Sequence, residues 1–364
     1  MIVNGNTSPL RVGIIGMGWA GETHLKAYLT MPNVQVVAIS DPRADHVAEL
    51  GARYNVPVVS TEYEPLLTRE DLDVISVTTP NYLHAPITIA ALEHGKHVLC
   101  EKPLARTVAE AEAMVKAALD NNRVLEVAFN HRRRGDVEVL KRYINEGGLG
   151  RIYHAKAMWM RRNGIPGMGG WFTSREMAGG GPLIDLGVHV LDMAMYLLDE
   201  PEVVAVSAAT YAELGPRGRG SRDPRLGGAY EVEDLATAFI RLAGGVTLLL
   251  EASWATYGKN DDDFGVSLYG TEGGATIEIK NYAWQDTLRI YTDVAGAPAD
   301  IHPAVTRGEG HAGVIRDFIA AIREGDWSAH VGREGLRRAQ IIEACYRSAA
   351  EGRELALIDA ATRI

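Results

Sequence analysis

Three side chains that can exchange protons lie close together near the middle of the chain. In the segment GGGPLIDLGVHVLD, residues 179–192, Asp185 and His189 are four residues apart and Asp192 follows three residues later. At helical spacing these side chains share one face, although the rest of the helix is Leu, Ile and Val. Polar groups are costly to bury in such surroundings, and carboxylates and imidazoles are the usual groups of general acid–base catalysis. A single histidine on an apolar helix is usually a core residue, but three polar side chains on one face favour a functional interpretation.

A second candidate for chemistry follows an apolar run. The segment VLCEKPLA, residues 98–105, begins with buried-type residues and then turns to Glu101, Lys102 and Pro103. Such a run is typical of a buried parallel strand, and ligands of open α/β sheets bind at the carboxyl ends of the strands. Lys102 is therefore either a group of the reaction or a solvent-facing loop lysine.

The first predicted strand leads into three glycines with the spacing Gly16-x-Gly18-x-x-Gly21. The spacing alone is weak evidence, but here it follows a strand and opens a helix, as in a dinucleotide-binding turn. Gly16 permits the tight turn, Gly18 leaves room for a pyrophosphate, and Gly21 lets helix and strand pack closely. The helix N-terminus attracts the phosphates. A plain tight turn is the alternative.

Asp41 ends the second predicted strand, 20 residues after Gly21. An acid there hydrogen-bonds the adenosine ribose and repels a 2′-phosphate, which favours NAD over NADP. The neighbouring Arg43 leaves NADP as an alternative cofactor. The alternative role for Asp41 is a helix N-cap. Asn81, in the segment TTPNYLH, offers an amide at the same sheet edge or is a turn residue.

Two kinds of sheet must position these groups. From Leu10 to about Phe129 strands and helices alternate, which predicts a parallel, doubly wound Rossmann sheet. Beyond it, strands follow one another without helices, which favours a large open, mostly antiparallel sheet. We therefore expect an α/β protein with domains at 1–130 and 131–364, whose C-terminal helices can pack back on the first domain. The stretch 213–229 reads as a mobile loop.

Composition restricts the class of protein. The 364 residues exceed one ordinary domain, and the contents of 46% hydrophobic and 23% charged residues are those of a soluble globular protein. A net charge of −10 argues against a nucleic-acid or membrane partner. Two distant cysteines, no visible signal peptide and no long apolar stretch favour the cytoplasm. His94 and His97 read as surface turn residues, and no metal site is predicted.

Together, the glycine pattern, TTPNYLH, CEKP and DLGVHVLD resemble the Gfo/Idh/MocA oxidoreductase family. The likeness extends from about residue 10 to about 357 and includes AFNHRR and GREGLRRAQIIEACYRSAAEGREL. It implies an NAD-binding domain joined to an open-sheeted domain that binds substrate and makes subunit contacts, hence a homodimer or homotetramer. It also implies a sugar or cyclic polyol as the substrate.

The resemblance assigns catalytic roles. It makes Lys102 the catalytic lysine, matches Asp185 and His189 to the family's Asp–His pair, and places Asp192 against the substrate. His189 is then the natural base, because an imidazole titrates near neutral pH. Lys102 is expected to stabilise the charge that develops on the same alcohol oxygen, while Asp185 orients the imidazole or grips a neighbouring hydroxyl.

The complete set of expected contacts is larger. The residues expected to bind the cofactor are Gly16, Met17, Gly18, Trp19, Ala20, Asp41, Arg43, Thr79, Asn81, His84, Glu101 and Lys102. The residues expected to bind the substrate are Lys102, Asn130, Arg132, Trp159, Trp171, Arg175, Asp185, His189 and Asp192. Aromatic faces suit sugar rings, and Arg and Asn suit hydroxyls, although Trp159, Trp171 and Arg175 are each as often used for packing.

The leading interpretation is an NAD-dependent dehydrogenase or reductase that moves a hydride between nicotinamide and a secondary alcohol carbon of a sugar or polyol. One alternative is an NAD-dependent glycosidase that oxidises its substrate transiently before elimination. Another is a non-catalytic, dinucleotide-binding regulator. The set Lys102, Asp185 and His189 argues against a regulator, which has no need of it.

Overall fold

The computed structural model describes residues 8–221, 228–259 and 261–357. Its described residues form two compact units. The first unit contains the described residues up to Asn130 together with Gly310–Ala339, and the second contains His131–Glu309 together with those from Gln340 onward. The predicted fold class is confirmed, because one unit carries a parallel sheet and the other a mostly antiparallel one.

The first unit contains a six-stranded parallel sheet in the order β3-β2-β1-β4-β5-β6, which is the Rossmann order. Its strands are β1 (Leu10–Ile15), β2 (Val34–Ser40), β3 (Val58–Ser60), β4 (Val74–Val77), β5 (His97–Cys100) and β6 (Leu125–Val127). Its helices are α1 (Trp19–Leu29), α2 (Ala44–Tyr54), α3 (Glu64–Leu67), α4 (His84–Glu93), α5 (Val108–Asp120) and, late in the chain, α9 (His311–Glu324).

The late helix α9 belongs to the core of this first unit. Its residues Ile315 and Phe318 are buried in the same hydrophobic cluster as Leu25 and Tyr28 of α1. The apolar face of α9 therefore covers the parallel sheet, as expected of a sheet whose two faces are both packed against helices.

The second unit contains nine strands in the order β14-β13-β12-β11-β7-β10-β9-β8-β15, and only the pair β7–β10 is parallel among the described strands. The strands are β7 (Ile152–Arg161), β8 (Val203–Tyr211), β9 (Leu235–Leu242), β10 (Thr247–Ser253), β11 (Asp262–Gly270), β12 (Gly274–Lys280), β13 (Leu288–Val294), β14 (Ala297–Ile301) and β15 (Leu355–Ala356). The helices are α6 (Gly135–Asn145), α7 (Arg175–Ala178) and α8 (Val188–Leu197), while α10 (Arg333–Glu351) has residues in both units.

The helix predicted from the spacing of Asp185, His189 and Asp192 has two parts. Leu183–Gly187 form a π-helical turn, and α8 continues from Val188. Such wider turns are frequent at functional sites, and this one contains Asp185.

Part of the predicted loop 213–229 is ordered by hydrogen bonds. The backbone N–H groups of Leu214 and Gly215 donate to the carboxylate of Asp234 at 2.6 and 3.0 Å, while residues 222–227 lie outside the described residues. In the described ranges, no helix combines the length and the apolar character needed to cross a membrane.

Candidate active site

The turn between β1 and α1 has the features expected of a pyrophosphate site. Gly16 has φ +93°, and a Cβ there would lie 2.7 Å from the carbonyl oxygen of Thr78, so a side chain does not fit. A Cβ on Gly21 would lie 2.0 Å from the carbonyl oxygen of Gly16. A Cβ on Gly18, in contrast, would meet no atom of the described residues within 4 Å. The space beside Gly18 therefore suits a ligand that approaches the N-terminus of α1.

Asp41 connects the second strand to this turn. Asp41 is 4% exposed, and its carboxylate accepts the backbone N–H of Met17 at 2.9 Å. The Arg43 guanidinium donates to both carboxylate oxygens at 2.8 and 2.9 Å. Burial by itself raises the pKa of Asp41, but these hydrogen bonds outweigh it and lower the pKa, so the group is ionised. The alternative role of Asp41 as a helix N-cap is wrong, because Arg43 occupies the N-cap of α2.

Other residues predicted to bind the cofactor follow β4 and β5. Asn81 is buried in a short 3-10 turn. The His84 ring lies 2.7 Å from the carbonyl oxygen of Pro103 and 2.9 Å from that of Thr79, and so joins the segments after the two strands. Lys102, beside Pro103, is half-buried. In the glycine turn itself, Met17 is buried, Ala20 is half-buried and Trp19 is exposed.

The Glu101 side chain contacts two histidines that were not predicted from the sequence. Its Oε1 is 3.0 Å from His24 Nε2 and 3.3 Å from His311 Nε2, and its Oε2 accepts the Lys102 backbone N–H at 3.2 Å. His24 shares the inward stripe of α1 with Gly21 and other buried residues, a pattern visible in the sequence. His311 is 210 residues from Glu101 and no local pattern links the two.

These three side chains are also of metal-ligating type, and sequence reasoning predicted no such group. Their ligand atoms lie within 4.8 Å of one another, and no second such group occurs within the described ranges. The expected surface position of His97 is wrong: it lies in β5, is 7% exposed, and accepts the Val124 backbone N–H at 3.1 Å. Burial lowers the pKa of His97 to about 4.

In the second unit, Asp185 and His189 lie in the π-helical turn and the start of α8. The Asp185 carboxylate accepts the indole N–H of Trp254 at 2.9 Å, and Trp254 is fully buried. The half-buried His189 ring is 4.8 Å from the His131 ring and 5.5 Å from the Trp159 ring, measured between centroids. Trp254 was not predicted from the sequence, because it lies 69 residues from Asp185.

A buried glutamate holds the backbone that leads into this turn. Glu233 accepts the N–H groups of Gly181 and Leu183 at 3.0 and 3.1 Å, and the Tyr346 hydroxyl at 2.8 Å. We call these four residues the Glu233 cluster. It determines where the helix that carries Asp185 begins.

Several residues predicted to bind the substrate are engaged with other side chains. Arg132 and Asp192 form a bidentate ion pair at 2.8 and 2.6 Å, with Asp192 1% exposed. Trp159 is 3% exposed, stacks on Phe264 and donates its indole N–H to Asp262 at 2.8 Å. These contacts show packing and ion pairing, and the substrate roles stay predictions.

The remaining predicted substrate residues are more accessible. Trp171 is half-buried and stacks on Phe172 with ring centroids 3.7 Å apart. Arg175 is exposed, and its backbone N–H donates to Glu231 at 3.1 Å. Asn130, half-buried, follows β6 in the first unit.

A Rossmann sheet with a glycine turn and an ionised acid after β2 defines the class of NAD-binding enzymes. Comparison with known families agrees: the profile of an oxidoreductase family with an NAD-binding Rossmann fold matches residues 10–129, and the GFO/IDH/MocA C-terminal domain matches residues 137–276. The chain belongs to the Gfo/Idh/MocA family and is an NAD-dependent oxidoreductase.

Two relatives match nearly the whole chain. The D-glucoside 3-dehydrogenase of Escherichia coli (strain K12) is 34% identical over 357 residues, which cover 96% of this chain and 98% of that protein. The levoglucosan dehydrogenase of Pseudarthrobacter phenanthrenivorans is 33% identical over 383 residues, covering 94% and 96% of the two chains. A solved structure of levoglucosan dehydrogenase in complex with NADH has a TM-score of 0.84 and 30% identity, and covers 96% of this chain and 100% of that one. The family, the enzyme class and the cofactor expected from the sequence are thereby confirmed.

Proposed function

We propose that the protein transfers a hydride between NAD and a secondary alcohol carbon of a sugar or cyclic polyol, with D-glucosides and anhydrosugars as the first candidates. The observation that carries the proposal is the similarity to two sugar dehydrogenases, which extends over 96% and 94% of the chain. Both the glycine turn and the set Lys102, Asp185 and His189 fall inside the ranges that match the two family domains, 10–129 and 137–276.

The first unit would hold the cofactor. The open space beside Gly18 suits a pyrophosphate, and the ionised Asp41 suits ribose hydroxyls while it repels a 2′-phosphate. Bound there, NAD would supply the hydride acceptor for the alcohol carbon. Arg43 neutralises part of the Asp41 charge, so we expect NADP to be used more slowly than NAD, not to be excluded.

The acid–base side chains divide the remaining work. His189 takes the hydroxyl proton during oxidation and returns it during reduction. Lys102 stabilises the negative charge that develops on the alcohol oxygen. Asp185, held by the Trp254 indole N–H, orients the imidazole or binds a neighbouring hydroxyl.

A substrate panel tests the proposal directly. Methyl D-glucosides, levoglucosan, free aldoses and inositols are incubated with NAD or NADP, and NADH or NADPH formation is followed by absorbance. We expect NADH formation with at least one glycoside or anhydrosugar, and slower reaction with NADP. Sugar release from a glycoside without net NADH would support the glycosidase alternative. Absence of both reactions would overturn the proposal.

The role of His189 is tested by substitution. His189→Ala should lower kcat by about 10²–10⁴-fold, the usual contribution of a general base, while NAD binding is retained. His94→Ala, an exposed position at the end of α4, is the matched control and should leave kcat unchanged. Unchanged kcat in His189→Ala would show that another group takes the proton.

We further propose that residues 131–364 supply the substrate-binding and subunit contacts of a cytoplasmic homodimer or homotetramer, and residues 1–130 the nucleotide-binding domain. Light scattering on the purified protein measures the assembly. A monomeric mass at working concentration would contradict this part of the proposal.

A further inference from the structure

The carboxylate of Glu101 is contacted by side chains from two distant parts of the first unit and by the backbone N–H of the next residue. His24 comes from α1, His311 begins α9, and the Lys102 backbone N–H is next in the chain. We call His24, Glu101 and His311 the Glu101 cluster. Glu101 is 7% exposed and His24 is fully buried. Because Oε1 meets the two imidazoles and Oε2 meets the Lys102 N–H, both carboxylate oxygens are used.

The directions of these hydrogen bonds follow from the chemistry of the partners. An ionised carboxylate only accepts, so His24 Nε2 carries the proton of that bond. The ring of a buried, neutral histidine then accepts at Nδ1, here from the Ser76 hydroxyl at 2.9 Å. The Ser76 oxygen in turn accepts the Tyr28 hydroxyl at 3.1 Å. One chain of donors therefore runs from Tyr28 to Glu101, with the His24 tautomer assigned from its partners.

The charges agree with these directions. Burial by itself raises the pKa of Glu101, but the hydrogen bonds from His24 and His311 outweigh it and hold the pKa well below its usual range. Burial lowers the pKa of His24, which keeps that ring neutral. A buried anion with fixed donors is a rigid anchor, because releasing any donor leaves charge unsatisfied.

We infer that His24 and His311 are positioning residues for the proposed catalytic lysine: they fix the Glu101 carboxylate, and the carboxylate fixes the backbone from which the Lys102 side chain extends. The inference rests on the proposed function only for the role of Lys102. Small displacements of catalytic groups can cost about 10²-fold in rate, so loosening this anchor should slow turnover without removing any group of the reaction. A hydrogen-bonded cluster also explains the geometry without a metal ion.

The backbone arm of the test does not depend on activity. The chain contains eight lysines, so selective ¹⁵N-lysine labelling gives a spectrum with few backbone amides, and Lys102→Arg identifies the Lys102 signal. In His311→Phe, which keeps an aromatic ring and removes the imidazole nitrogens, the Lys102 amide should exchange with solvent about tenfold faster. The amide of Lys116, inside α5, should not change. His311→Gln, whose side-chain amide can donate, should restore slow exchange. Should His311→Phe fail to fold, Glu101→Gln replaces it as the variant that loosens the cluster.

The kinetic arm separates positioning from general stability. His311→Phe should lower kcat about ten- to a hundredfold, and His311→Gln should recover most of it. In a Lys102→Ala background, His311→Phe should have no further effect on kcat, because residues that act through one another are not additive. His94→Phe is the matched control, at an exposed histidine.

Each outcome decides the inference. Unchanged Lys102 exchange in both His311→Phe and Glu101→Gln would overturn it, as would faster exchange with unchanged kcat, or additive effects in the double variant. A stoichiometric transition metal in the purified protein, measured by mass spectrometry, would replace the hydrogen-bonded anchor by a metal site. If the wild-type protein oxidises no sugar, the proposed function fails, while the exchange measurement still decides whether the cluster anchors Lys102.

Discussion

Each unit buries a glutamate, Glu101 beside Lys102 and Glu233 against the backbone that leads into the Asp185 turn, yet the pKa values of the two carboxyl groups shift in opposite directions. Glu101 is 7% exposed and Glu233 is 3% exposed, so burial hardly distinguishes them. Burial opposes ionisation in both, but hydrogen bonds from two imidazoles hold the pKa of Glu101 well below its usual range. For Glu233, burial outweighs the N–H groups and the Tyr346 hydroxyl, and the pKa is raised. The donors around a carboxylate, not its depth alone, therefore decide its charge.

The difference has opposite consequences for stability. Because the pKa of Glu101 is lowered on folding, its contribution is present above the unfolded pKa and is lost as pH falls through the folded value. Because the pKa of Glu233 is raised, its contribution is fully present below the unfolded pKa and is lost as pH rises through the folded value. The Glu101 cluster thus contributes most to stability at neutral pH, and the Glu233 cluster contributes most in acid.

The largest loss of stability should come from a substitution that forces the backbone of the Glu233 cluster apart. A Cβ in Gly181→Ala would lie 2.1 Å from the carbonyl oxygen of Glu233, which cannot move without the strand that follows it. We expect a loss of about 4 kcal/mol in unfolding free energy, seen as a lower apparent Tm in thermal unfolding. The control Gly258→Ala meets its nearest neighbour, Thr256 Oγ1, at 3.6 Å and should change little. Equal apparent Tm values for the two variants would refute the account.

Removing the charge of the Glu101 cluster should lower the unfolding free energy by nearly as much. Glu101→Gln keeps the shape but cannot match all three contacts of the carboxylate, and losing hydrogen bonds to a buried charge costs about 3 kcal/mol. At neutral pH the apparent Tm should fall by roughly 2–4 °C per kcal/mol. A variant as stable as the wild type would show that Glu101 is not an ionised anchor.

Acid titration should sharpen the contrast between the two glutamates. The difference in apparent Tm between wild type and Glu101→Gln should shrink as pH falls below about 4.3, because the unfolded glutamate takes up a proton there while the folded one stays ionised. Wild type should lose stability relative to Glu233→Gln as pH rises above that value. Parallel pH profiles for the two variants would contradict the opposite pKa shifts.

The smallest effect is expected from a single hydroxyl. Tyr346→Phe keeps the ring and removes the 2.8 Å hydrogen bond to Glu233, which should cost about 1 kcal/mol. Tyr291→Phe, at an exposed tyrosine of β13, is the control and should have no measurable effect on the apparent Tm. If both variants have the apparent Tm of the wild-type protein, the Tyr346 hydroxyl does not contribute to the stability of the cluster.

Elements with strong periodicity were predictable, and short edge elements were not. The sequence predicts helices near 311–323 and 333–351, and the structure has α9 at His311–Glu324 and α10 at Arg333–Glu351. It does not predict β14, whose residues are mostly exposed and lack apolar alternation. The π-helical turn was not predicted from the sequence pattern either. The Glu233 cluster holds the backbone that leads into this turn, and it joins residues about 50 positions apart.

Local patterns in the chain determined which groups stand at the strand ends: the glycines before α1, Asp41 after β2, Lys102 after β5, and Asp185 with His189 on one helix. Those patterns suffice because strand and helix periods, and the turn that glycine permits, depend on neighbours in sequence. Only the tertiary structure decided which partner each group has, and so its charge. The contact of His311 with Glu101 and the hydrogen bond from Trp254 to Asp185 join residues 210 and 69 positions apart, and a carboxylate takes its pKa from the groups that folding brings to it.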